Sequence, residues 1–105
     1  MELNTWQRFM LSQIVGGLRG DIQTVRTGLK LLEILELSDS EKQQVGFVED
    51  KTGAHWEDTE YRFELEIKDE NLVAFLRTKA TEFQGWPVNK NSLDLFDQLG
   101  VTEGE

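Results

Sequence analysis

One stretch of this chain, Thr59–Glu70 (TEYRFELEIKDE), alternates large apolar residues with charges, and the apolar residues on both sides of it recur at helical spacing. A period of two places Tyr61, Phe63, Leu65 and Ile67 on one face of a strand and Arg62, Glu64, Glu66 and Lys68 on the other. The chain must therefore bury one face of a strand under helices. Phe47 and Val48 read as the end of a core segment or the start of a partner strand, with EDKTGAHW supplying a glycine-containing turn, so the expectation is a β-hairpin. An isolated two-stranded hairpin is marginal in water, so it must be covered by helices or extended by a partner's sheet.

The helices are marked by their caps. Asn4 and Gln7 have the spacing of a capping box, followed by Leu3, Trp6, Met10, Ile14 and Leu18 at helical intervals, widened by Phe9, Leu11 and Val15. A first helix over about Thr5–Leu18 ends in GGLRGD, where Asp21 caps the next. In that second helix Ile22, Val25, Leu29, Leu32 and Leu35 form the expected buried stripe, with Arg26, Lys30 and Glu33 outward. Ser38 and Glu41 repeat the capping box before a helix of about two turns, stopped by Gly46. Asp69 caps a fourth helix carrying Leu72, Val73, Phe75, Leu76, Ala80 and Phe83, with Gly85 at its end. The proline in GWPVNKNS lets Trp86 and Val88 fold beneath it before Asn89 or Asn91 caps a last helix packed through Leu93, Leu95, Phe96 and Leu99.

The fold class is α+β and mainly helical: an N-terminal helical hairpin plus a short helix, one antiparallel β-hairpin and two C-terminal helices. At 105 residues with 38% hydrophobic content the chain reads as a single domain over 1–105, with about 101–105 a frayed tail.

With no cysteine, disulfides, iron–sulfur clusters, thiolate zinc and a cysteine nucleophile are excluded. The N-terminus lacks a basic region ahead of its apolar part, and Arg8, Ser12 and Gln13 interrupt that part. Neither a signal peptide nor a membrane span is expected, and the expected location is the cytoplasm. The net charge of −9 is uneven: residues 1–30 hold four cations against two carboxylates, a net +2, and residues 31–105 hold seven against eighteen, a net −11. Such a surface disfavours direct nucleic-acid binding and is compatible with a protein partner.

Candidate chemistry is sparse. His55 is the sole histidine, beside Glu57 and Asp58, and this matches no metal-ligand spacing. Ser12, Ser40 and Ser92 lie on no nucleophile elbow. Glu64 and Glu66 would project about 6–7 Å apart from one strand face, but Arg62 and Lys68 flank them, which opposes the raised pKa that acid catalysis needs. GGLRG matches neither the phosphate loop nor the dinucleotide fingerprint. No catalytic, metal or cofactor residue is assigned. Trp6 and Trp86 read as core, whereas Trp56, set in an acidic run, reads as a partly exposed aromatic. The candidate partner-binding residues are Trp56, Glu57, Asp58, Glu60, Glu64 and Glu66.

The N-terminal helix pair, LELSDSEKQQVGF, TGAHWEDTE, ELEIKDENL and the terminal NSLDLFDQLGV together resemble small acidic proteins of unknown function encoded by bacteriophages and prophages. The resemblance implies a phage origin and no activity. The expected function is a non-enzymatic protein-interaction module, such as a phage accessory or assembly protein, with homo-oligomerisation open. The alternative is an acidic nucleic-acid mimic that inhibits a host DNA- or RNA-binding or defence protein.

Overall fold

A computed structural model describes residues 1–101. The chain runs β1 (Glu2–Asn4), α1 (Thr5–Gly16), α2 (Ile22–Leu35), α3 (Asp39–Val45), β2 (Val48–Asp50), β3 (Gly53–His55), β4 (Arg62–Glu64), α4 (Glu70–Glu82) and α5 (Lys90–Leu99). It is α+β and mainly helical, with two small antiparallel sheets.

The caps act where the sequence places them. Asn4 Oδ1 accepts from Gln7 N and Gln7 Oε1 accepts from Asn4 N, closing the capping box of α1; Ser38 and Glu41 do the same for α3. Asp21, Asp69 and Asn89 cap α2, α4 and α5. Gly46 ends α3 in the left-handed region at φ 68°. A Cβ there would also stand 3.2 Å from the Glu57 side chain, so both the backbone and the space favour glycine.

Strand pairing differs from expectation. The hairpin is shorter and earlier: β2 and β3 join through the two-residue loop Lys51–Thr52, with Val48 opposite His55. Asp50 Oδ1 accepts from the Thr52 amide and hydroxyl and tightens that turn. The alternating segment does not pair with it. Instead β4 pairs with the N-terminal strand, setting Leu3 opposite Phe63 and Asn4 opposite Arg62. Three residues are too few to show a period, so β1 carries no signal of its own. The alternation itself persists, with Phe63 buried, Leu65 and Ile67 half-buried and the residues between them exposed, but Tyr61 is exposed and stands edge-on to Phe63.

The core gathers Leu3, Leu11 and Val15 with Leu31 and Leu35 of α2, Leu72, Leu76 and Ala80 of α4, and Leu95 and Leu99 of α5. Three assignments to it are corrected. On α2 the buried residues are Gly28, Leu31 and Leu35, and Ile22, Val25 and Leu29 are exposed by 72%, 52% and 56%. The Leu-rich second half of α2 is apolar almost all round, so its period fits two faces, and packing on α1 selects the one with small residues, Gly28 lying against Val15. Val88 is fully exposed while Trp86 tucks between Phe83 and Phe96, donating to Ala80 O. Leu93 faces outward on α5, where Ser92 is buried instead, its hydroxyl donating to Pro87 O. α4 ends at Glu82, three residues before Gly85. Val101 donates to Phe96 O and packs on the core; the rest of the expected frayed segment lies outside the described residues.

Candidate protein-docking surface

Two side chains of the acidic segment, Trp56 and Asp58, are engaged in holding the fold. Trp56 is half-buried, stacked on Phe47 at 6.1 Å between ring centroids with Phe9 at 6.0 Å, so its ring seals the hairpin onto α1. The amides of Glu57 and Asp58 both donate to Val45 O at the end of α3. Asp58 Oδ1 accepts from the amides of Glu60 and Tyr61, a local turn that aims the chain into β4. The side chains of Glu57, Glu60, Glu64 and Glu66 remain exposed. They are not an unbroken anionic face, because the terminal amine lies 3.5 Å from Glu64 and Arg62 sits beside it, paired to Asp94 at 2.6 Å.

His55 Nε2 lies 2.9 Å from Thr52 Oγ1 and 3.6 Å from Asp50 Oδ1, inside the hairpin turn. Among the described residues no group of three or more His, Asp or Glu is placed to hold a metal ion. No helix among them is long and apolar enough to cross a membrane.

Two polar clusters that sequence reading missed have structural work. Arg8, 2% exposed, donates from Nε to Leu35 O, from Nη2 to Glu36 O and Ile34 O, and from Nη1 to Glu41 at 2.6 Å. Its guanidinium thus takes the orphan carbonyls at the negative end of α2 and ties α1, α2 and α3 together. Burial alone would raise the Glu41 carboxyl, but hydrogen bonds from the Ser38 amide and from Arg8 outweigh it and hold the group below its ordinary value. In the second cluster Gln7 donates to Asn91 O and Asp94, Asn4 to Asn91, and Arg62 to Asp94. Burial again acts to raise Asp94, and the bonds from Arg62 and then Gln7 prevail and lower it. Each of these groups has its partners within the fold.

The exposed large apolar residues are Val48, Tyr61, Val88 and Leu93, which are scattered along the chain, and three that share one helix, α2. Ile22, Val25 and Leu29 occupy one strip of its outer surface. The strip runs toward Leu32 at the rim of an open cleft of about 220 Å³ between α1, α2 and α3, floored by Phe9, Leu35, Leu37 and Phe47. The cleft falls below the roughly 300–1,000 Å³ typical of small-molecule sites. Comparison with protein-family models, with curated proteins and with solved structures finds no match. The functional reading therefore rests on the chain's own geometry.

Proposed function

We propose that the protein is a non-enzymatic protein-interaction module whose docking surface is the outer face of α2. The observation that carries this is the exposed row Ile22, Val25 and Leu29 at i, i+3 and i+7, the spacing by which helices recognise partners. It replaces the Trp56–Glu66 segment as the first place to look, since Trp56 and Asp58 are engaged within the fold. A small accessory or assembly protein of a phage fits this reading. The charge mimic has less to support it, because cations interrupt its carboxylates.

A photo-crosslinking residue placed at Val25, and separately at Glu60, tests the site in the cell that makes the protein. A discrete protein adduct from position 25 that disappears with Leu29→Asp supports the reading. Adducts from position 60 alone would return the site to the acidic segment, and adducts from neither would sink the interaction reading.

A further inference from the structure

The two edges of the sheet formed by β1 and β4 are finished differently. Met1 and Leu65 exchange both backbone hydrogen bonds, the amine donating to Leu65 O at 2.9 Å and the Leu65 amide to Met1 O at 2.7 Å. Bonded and non-bonded pairs alternate along an antiparallel ladder, so Leu3 and Phe63 face each other and the backbone groups of Glu2 and Glu64 point out on opposite edges. On the β1 edge these groups are covered. The Glu2 amide donates to Gln98 Oε1, and Glu2 O accepts from Gln98 Nε2 and Arg62 Nη2, so the Gln98 amide stands where a further strand would pair. On the β4 edge, which the alternation continues past the strand, the amides and carbonyls of Arg62, Glu64 and Glu66 have no hydrogen-bond partner among the described residues. All three residues are exposed, and no third strand among the described residues joins this sheet. The Arg62 side chain does not guard the edge, because it is turned across β1 to Asp94 and Glu2 O.

We infer that the open edge of β4 is a second docking site, which takes an extended segment of a partner protein, alternating basic and apolar residues, as an added antiparallel strand. It is of a different kind from the α2 face and independent of it. Each outward residue offers one donor and one acceptor, which water satisfies in the free chain. Only an extended backbone meets such groups at every second residue, so the edge selects a strand and not a helix. The side chains then select among strands. Along the polar face stand Glu64 and Glu66, with Glu2 opposite Glu64 and Glu60 just ahead of the strand. Of the cations, Arg62 is paired to Asp94 and the terminal amine lies against Glu64, which leaves Lys68 alone against Glu2, Glu60 and Glu66. A cross-strand neighbour of Glu64 and Glu66 is therefore favoured when it is Lys or Arg. On the other face, exposed Tyr61 and half-buried Leu65 and Ile67 gain cover from apolar residues between those cations. A second copy of β4 is a poorer occupant. A two-fold axis at any residue from Arg62 to Ile67 sets at least one like-charged pair opposite: Glu64 against itself at Glu64, Arg62 against Lys68 at Leu65. One short strand buries less than the roughly 800 Å² per partner of a standard interface, so the binding is weak and reversible.

Amide hydrogen exchange followed by NMR reads the edge residue by residue. In the free chain the Phe63 and Leu65 amides are expected to exchange slowly and those of Glu64 and Glu66 quickly. The probe is a synthetic peptide, Val-Lys-Val-Lys-Val-Thr-Val, whose lysines fall opposite Glu66 and Glu64 and whose threonine falls opposite Arg62 in the antiparallel register. Its addition is expected to slow exchange at Glu64 and Glu66. Replacing both lysines by glutamate weakens binding about tenfold. N-methylation of both lysine nitrogens, which keeps the charges and removes two backbone donors, also weakens it about tenfold. Glu64→Gln with Glu66→Gln removes the preference for the basic peptide and leaves the exchange pattern of the free chain unchanged, whereas Leu29→Asp leaves peptide binding as it was, so this site and the α2 face are told apart. Slow exchange at Glu64 and Glu66 in the free chain, which would mean an edge already covered, overturns the proposal. So does equal binding of the methylated peptide, which would mean attraction by charge alone, or protection by none of the peptides.

Discussion

Arg8 shows how one side chain can decide a junction. It is buried, and its bonds run to three carbonyls at the end of α2 and to Glu41. Removing one partner of a buried charged pair costs about 3–5 kcal/mol, because the carbonyls and the carboxylate lose their donor together. Arg8→Ala is expected to fall in that range by urea denaturation. Arg8→Lys should recover little, since one ammonium cannot reproduce the guanidinium's forked donors. Phe63 and Glu64 are neighbours with opposite fates: Phe63 is 7% exposed and Glu64 points to solvent. Phe63→Ala is expected to cost about 3–5 kcal/mol and Glu64→Ala less than about 0.5 kcal/mol. Equal losses in chemical denaturation would mean that β4 is paired to β1 in another register. Phe63 was legible from alternation alone. Arg8 was not, because in sequence a buried arginine looks like any polar break in an apolar run.

Helix α2 separates pattern from packing. Its N-cap was readable, since Asp21 is a local signal that needs no neighbour. Its inward face was not, because Ile22, Val25, Leu29 and Leu32 make as regular a row as Leu31 and Leu35 do with Gly28. The two faces have different costs. Leu31→Ala, at a fully buried position, is expected to destabilise by about 2–5 kcal/mol, whereas Leu29→Ala changes the monomer by less than about 0.5 kcal/mol. Urea midpoints of the two variants give this comparison. The reverse order would restore the face read from sequence and remove the docking surface with it.

Across the whole molecule, the first strand and helix are bound to the last helix by Asn4, Gln7, Arg62, Asn91 and Asp94. Asp94 and Glu41 both sit below their ordinary values of 3.8 and 4.5 in the folded state. The folded chain therefore binds fewer protons than the unfolded one in that range, and their contribution is present above it and lost as the pH falls through it. Stability is expected to hold near neutrality and to fall below about pH 4.5, with a shallower fall in Asp94→Asn; urea midpoints at pH 7 and pH 3 give the comparison. An identical pH dependence in that variant would show that Asp94 contributes none of the slope. The helix N-caps, the αL glycine at Gly46, the α+β class and the buried phase of the alternating segment from Phe63 onward were all determined by the sequence, because each depends on residues a few positions apart. The pairing of β1 with β4, the inward face of α2, the burial of Arg8 and the engagement of Trp56 were decided only in the tertiary structure. Each joins residues far apart in the chain, where local spacing permits several partners and only the closing of one shared core selects among them.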